Sequence, residues 1–257
     1  MKIVRTIEEM RAARPDGVVG LVPTMGALHA GHVSLFDAAR EECDSVVATI
    51  FVNRAQFAPT EDFARYPRDE EHDARAAADA GVDILFMPEH DELYPRSYQT
   101  WVEVEQLGRV LEGAYRPGHF RGVTTICLKL FNIVRPQRAY FGQKDAQQAA
   151  VLRRMAQDLN LELDLRVLPT VRDEDGLALS SRNVYLSEAE HDRALALPRA
   201  LATHDPLRAR ELLAAEPGIE TDYVDVLEDG DSRVLAAAVR VGATRLIDNV
   251  PLEGGPA

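Results

Sequence analysis

The stretch Val18-Val19-Gly20-Leu21-Val22-Pro23-Thr24-Met25-Gly26-Ala27-Leu28-His29-Ala30-Gly31-His32 decides how the rest of the chain is read. Val18 to Val22 is an apolar run of strand length, and Val33 to Cys43 repeats apolar residues at helical spacing. The motif between them therefore occupies a strand-to-helix turn. In an open parallel α/β sheet that turn lies at the carboxyl edge, where ligands bind, and the helix N-terminus offers N–H groups and positive partial charge to a phosphate. Gly26 lets the backbone turn sharply, and Gly31 removes a side chain where a nucleotide could approach. His29 and His32 can face one anion together, as donors fixed in advance toward charge developing on a phosphate. The same pair also suits a polar cap exposed to water, and the remaining motifs separate these readings.

The bulk composition sets bounds. With 257 residues, 46% of them hydrophobic, the chain is long enough for one large domain and a small one. No terminal stretch reads as a signal peptide and no run approaches the roughly 20 apolar residues of a membrane span, so a soluble cytoplasmic protein with no membrane partner is expected. Cys43 and Cys127 sit in apolar helical patterns without metal-ligand spacing, which points to buried free thiols. Lys plus Arg number 29 against 42 for Asp plus Glu, a formal charge of −13. That field repels nucleic acid. It repels other anions too, so an anion site must be locally basic, and Arg116, Arg121, Lys144, Arg172 and Arg182 are the candidates.

Further strands are predicted at 45–52, 84–87, 139–141 and 161–168, with helices at about 69–80, 124–133 and 149–159. Asn53 and Gln56 fall on the loop leaving the second strand. Trp101 to Val104 is read as a short peripheral strand. Arg116 to Val123 forms a glycine-rich turn able to hold an anion or to serve as a solvated linker. Gly142-Gln143-Lys144-Asp145 repeats the pattern of strand, glycine turn and helix start. Lys144 suits a point charge on phosphates, Gln148 lies one turn into the helix on the same side, and Asp145 suits either a ligand or an N-cap. Ser180-Ser181-Arg182 offers two hydroxyls and a guanidinium to phosphate oxygens, although such a tripeptide alone also makes an ordinary surface turn. Ser187 and Glu190 form a capping box opening a helix through Leu201, and the remainder reads as short strands around a helix near 232–241.

The sequence Pro-Thr-Met-Gly-Ala-Leu-His-x-Gly-His resembles the signature of the pantoate–β-alanine ligase (pantothenate synthetase) family, within the nucleotidyltransferase superfamily that shares HxGH with class I aminoacyl-tRNA synthetases. The likeness runs from about Val22 to Leu186 and recurs at Thr244-Arg245-Leu246-Ile247-Asp248-Asn249. Its specificity comes from five separated motifs in the family's order. The resemblance implies that Met25, Gly26, Ala27, Leu28, His29, Ala30, Gly31 and His32 bind ATP together with Gly142, Gln143, Lys144, Asp145, Val171, Leu179, Ser180, Ser181 and Arg182. It assigns Gln56 to pantoate and β-alanine and Gln148 to pantoate, and gives the catalytic roles to His29, His32, Lys144 and Arg182. Two departures stand out: Arg54 replaces the usual proline, and Gln143 stands where glutamate is frequent.

The expected architecture is a Rossmann-like parallel sheet domain over residues 1–170 that binds ATP and pantoate, followed by a smaller α+β lid domain over 171–257. The implied reaction is ATP-dependent condensation of (R)-pantoate with β-alanine through pantoyl adenylate, releasing AMP and pyrophosphate. Mg²⁺ is expected to arrive with ATP, since the sequence shows no dedicated metal cage, and the resemblance suggests a homodimer. An adenylyltransferase acting on a phosphorylated acceptor and a nucleotide sensor without turnover are the competing classes. The pair Gln56 and Gln148 favours a small hydroxy acid.

Overall fold

The computed structural model describes residues 1–58, 61–230 and 232–252. It divides into two compact units, one made of residues 1–142 and 151–168, the other of 143–150 and 169–257. In the first unit β1 (Lys2–Val4), β2 (Val19–Thr24), β3 (Ser45–Ile50), β4 (Ile84–Phe86), β5 (Arg138–Gly142) and β6 (Asp164–Leu168) form one sheet in the order β1-β4-β3-β2-β5-β6. Every pairing in it is parallel. Chain order runs outward from β2 to β3 and β4 on one side and through β5 to β6 on the other. The reversal falls between β2 and β5, and a crevice at their carboxyl ends is where such sheets bind ligands.

A parallel sheet must be covered on both faces, which explains why its inner strands β2, β3 and β4 are buried nearly throughout rather than alternating, while the edge strands β1 and β6 carry Lys2, Asp164 and Arg166. On one face α2 (Ala30–Glu42) and α3 (Glu70–Asp79) contribute Leu35, Phe36, Ala39 and Ala77 to a core with Val22, Val46 and Leu85. On the other, Leu21, Val47 and Phe86 pack with Met10 of α1 (Ile7–Ala13) and with Val123, Leu130 and Phe131 of α6 (His119–Val134), and also with Leu152 and Met155 of α7 (Ala146–Asp158). Two short helices, α4 (His90–Leu93) and α5 (Glu112–Tyr115), lie in the connections between β4 and α6. Cys43 and Cys127 are free and buried, and burial pushes the Cys127 thiol up to about 12.

In the second unit α8 (Glu188–Ala194), α9 (Ala196–Leu201) and α10 (Pro206–Ala215) precede an antiparallel sheet of β7 (Ile219–Asp229), β8 (Ser232–Val241) and β9 (Thr244–Pro251). Leu197, Leu201 and Leu213 pack with Val224, Leu235, Val239 and Leu246 in its core.

The structure corrects several expectations. Residues 232–241 form the central strand β8, not a helix. Its alanine run favours a helix intrinsically, but hydrogen bonding to β7 and β9 with burial of Val234 through Val239 outweighs that weak preference. Residues 101–104 form no strand, because threonine hydroxyls of α6 satisfy the backbone of Val102: its N–H donates to Thr125 Oγ1 at 3.0 Å and its carbonyl accepts from Thr124 Oγ1 at 2.6 Å. The helix expected from Ser187 to Leu201 breaks between α8 and α9, where Pro198 has no N–H to give the carbonyl of Ala194. Its Ser187–Glu190 capping box is formed as read. Helix α6 begins earlier than expected, at His119 rather than Thr124. The sequence reading passed over β1 and α1, although Thr6 and Glu9 make a reciprocal capping box that marks the start of α1.

Candidate active site

The chain leaves β2 at Thr24 and turns through two consecutive left-handed residues, Gly26 (φ 81°) and Ala27 (φ 52°), before entering α2. For alanine that conformation costs roughly 1–2 kcal/mol. The compensation comes from Asp73, buried in the first turns of α3, whose Oδ2 accepts the Ala27 N–H at 2.9 Å and whose Oδ1 accepts the Leu28 N–H at 2.8 Å. Hydrogen bonds to a charged group contribute about 1.5–3 kcal/mol each, so this clamp outweighs the strain.

His29 is the N-cap of α2. Its Nδ1 accepts the Gly31 N–H at 3.1 Å, and its own N–H donates to His32 Nδ1 at 3.3 Å. The two ring centroids are 4.2 Å apart. A neutral imidazole whose Nδ1 accepts must carry its proton on Nε2. The helix start therefore sets both tautomers and makes each Nε2–H a donor. Capping and an Nε2 donor role are thus compatible in one arrangement: the cap occupies Nδ1 and defines Nε2. Gly31 serves the cap more directly than it serves a ligand, since a Cβ there would meet His29 Cε1 at 2.9 Å.

The loop after β3 folds into a 3-10 turn, Arg54–Gln56, capped by Asn53. Asn53 Nδ2 donates to Gln56 Oε1 and to the carbonyl of Gly122, both at 3.1 Å. Gln56 Nε2 faces Met25 Sδ at 3.1 Å. Thioether sulfur is a weak acceptor, so the buried amide keeps donor capacity for a better one. Arg54 opens the turn, the first helical position, at which proline is generally tolerated, and its guanidinium lies 5.5 Å from the Phe63 ring centroid. His119 Nδ1 donates to the Gln56 carbonyl at 2.8 Å, and its Nε2 accepts from Arg116 Nη1 at 3.2 Å. Burial and the neighbouring Arg116 charge push His119 down to about 4, so the ring is neutral near pH 7. Arg116 also grips Glu61 through Nε at 2.7 Å and Nη2 at 2.9 Å. Burial raises the Glu61 carboxyl, but hydrogen bonding and charge from Arg116 outweigh it and hold the group below its ordinary value. Arg116 is therefore a structural counter-ion of this loop, and Arg121 stacks over Trp101 at 5.0 Å.

The second unit gathers the other predicted groups. Gln143–Asp145 form a 3-10 turn immediately after Gly142 and before α7, with Lys144 Nζ 3.8 Å from Asp145 Oδ1. Gln148, in the first turn of α7, is half-buried. Leu179 N–H donates to the Val171 carbonyl at 3.0 Å, and Arg172 bridges to Ala178. That hairpin presents Ser180, Ser181 and Arg182, with the Arg182 N–H on Ser180 Oγ at 3.3 Å. Arg172, an anion candidate from sequence, is committed instead to the wholly buried Asp248 carboxylate by contacts of 2.6 and 3.0 Å. Among the described residues no group of three or more His, Cys, Asp or Glu side chains is placed to hold a metal ion, and no helix is long and apolar enough to cross a membrane.

The model of the pantoate-beta-alanine ligase family matches residues 2–251. The chain belongs to the pantoate–β-alanine ligase family. It is a ligase, an enzyme joining pantoate to β-alanine. It is 50% identical to the pantothenate synthetase of Heliobacterium modesticaldum, covering 98% of this chain and all of that one, and 53% identical to the one from Moorella thermoacetica, covering 98% and 99%. The crystal structure of pantothenate synthetase from Thermus thermophilus superposes with a TM-score of 0.94 at 45% identity, over all of both chains. That of the pantoate-beta-alanine ligase from Francisella tularensis, complexed with beta-gamma ATP and beta-alanine, does so at 0.90 and 34%, again over all of both chains.

Sequence reasoning missed Asp73, gave Asn249 no role beyond its place in the closing motif, and did not foresee that Glu61, Arg116 and His119 form one network. Asp73 is one of three acidic residues in the first turn of α3, and only the tertiary contact distinguishes it from its neighbours. Asp73→Asn keeps the volume but turns an NH₂ toward one of two N–H donors. It should lower stability by about 1.5–3 kcal/mol and slow adenylation, as read by urea denaturation and turnover. The depressed His119 pKa gives a second expectation. Between about pH 6.5 and 4 the unfolded chain binds a proton that the folded imidazole does not, so this contribution to stability is full above about 6.5 and falls as pH drops toward 4. His119→Gln should flatten that part of the stability–pH curve.

Proposed function

We propose that this ligase works through an acyl adenylate, and that the fixed Nε2–H tautomers of His29 and His32 carry the first step. The pantoate carboxylate attacks the α-phosphorus of ATP, forming pantoyl adenylate and releasing pyrophosphate; the β-alanine amine then attacks the acyl carbon, releasing AMP. Both steps need positioning and neutralisation of charge more than a protein nucleophile. His29 and His32 donate to the α-phosphate oxygens as their charge grows. Lys144, Ser180, Ser181 and Arg182 bind the departing β- and γ-phosphates, with Gly142, Gln143, Asp145, Val171 and Leu179 shaping the same nucleotide site. The Gln56 amide exchanges its weak sulfur contact for a pantoate oxygen, and Gln148 holds pantoate with it.

Several features support this reading: the family, the relative complexed with beta-gamma ATP and beta-alanine, and a donor pair set by backbone caps. Mg²⁺ is proposed to enter with ATP on its phosphate oxygens, where it lowers their charge. A cytoplasmic homodimer is the proposed state, its dimeric part checked by light scattering.

Enzyme, Mg-ATP and pantoate without β-alanine should exchange labelled pyrophosphate into ATP. His32→Ala should slow that exchange by roughly 10²–10³, the scale for one preorganised donor. Exchange that required β-alanine would contradict a separate adenylation step, and an unimpaired His32→Ala would return this histidine to capping alone.

A further inference from the structure

The carboxamide of Asn249, on β9, is almost completely buried and has both its ends engaged on one short segment. Its Nδ2 donates to the main-chain carbonyl of Gln143 at 2.8 Å and to that of Lys144 at 2.9 Å. Its Oδ1 accepts from Gln143 Nε2 at 2.9 Å. Two carbonyls on one side require the donor end and the Gln143 NH₂ requires the acceptor end, so the network leaves a single orientation of the amide. The preceding residue, Asp248, holds Arg172, whose Nη1 also donates to the Gly176 carbonyl at 3.0 Å. Two adjacent residues of β9 thus mount both loops that bear proposed phosphate ligands in this unit: Asp248 the hairpin leading to Ser180–Arg182, and Asn249 the turn bearing Lys144.

We propose that Asn249 is a positioning residue for Lys144. It touches no reacting atom. By fixing two consecutive carbonyls it fixes the peptide planes on either side of the Lys144 Cα, and so the direction in which a long, flexible side chain leaves the backbone. A lysine is a point charge on a four-carbon stem, and its use to a transition state depends on where that stem starts. The inference rests on the assignment of Lys144 to the ATP phosphates.

The test is a double-mutant cycle read by pyrophosphate exchange, with hydrogen exchange of the 144–146 amides as a separate readout. Asn249→Ala should speed exchange of those amides and lower the pyrophosphate-exchange rate by up to roughly 10²-fold, the scale of a small misplacement. In a Lys144→Ala background the same change should lower the rate less than about twofold, since its effect passes through that ammonium. Asn249→Asp, equal in volume but unable to donate to the carbonyls, should behave like Asn249→Ala and covers the case where the alanine variant does not fold. Unchanged amide exchange would overturn the tether whatever Lys144 does. Equal losses in both backgrounds would overturn its action through Lys144. A Lys144→Ala enzyme with normal turnover would instead overturn the assignment of Lys144 to the phosphates, and with it the role given to Asn249.

Discussion

The buried carboxylate of Asp73 holds the N–H groups of Ala27 and Leu28 in a turn whose two left-handed residues would otherwise relax, and the geometry of the histidine motif follows from it. An anion buried this deeply needs hydrogen bonds to be tolerated, and a strained turn needs an acceptor to persist. Each meets the other's requirement. Once the turn is held, α2 begins at His29, and the capping bonds of that helix end decide which nitrogen of each imidazole bears a proton.

A related device recurs elsewhere: a polar side chain holds a loop that bears, or leads into, proposed site residues. His119 and Arg116 hold the Gln56 carbonyl, and Asn53 joins the Gln56 amide to α6. Asn249 holds Gln143 and Lys144, and Asp173 accepts the N–H groups of Asp175 and Leu177 within the hairpin before Ser180. Groups proposed to act on substrate are thereby set before substrate arrives, as electrostatic stabilisation with little reorganisation requires.

How much of this was legible in the sequence depends on how local the cause is. The inner strands of the parallel sheet were readable because burial on both faces leaves apolar runs such as 18–22 and 45–50, whereas the short, half-exposed edge strand β1 leaves no such run. The histidine motif was readable because its residues are adjacent and its helix start is local. The structural roles of Asp73, Glu61 and Asn249 were not: each depends on a partner 45 to 106 positions away that only the fold brings up. Residues 232–241 failed for the related reason that pairing to two neighbouring strands overrides alanine's helical preference, and Arg172 because its partner, Asp248, lies 76 residues along the chain.

The tautomers of His29 and His32 decide whether the helix cap prepares two donors, and ¹⁵N NMR of labelled histidines in the free enzyme at neutral pH reads them directly. Both rings should show a protonated Nε2 and an unprotonated Nδ1 of acceptor character, perturbed at His29 by Gly31→Ala, which crowds that ring. A proton on Nδ1 of either histidine would contradict that arrangement.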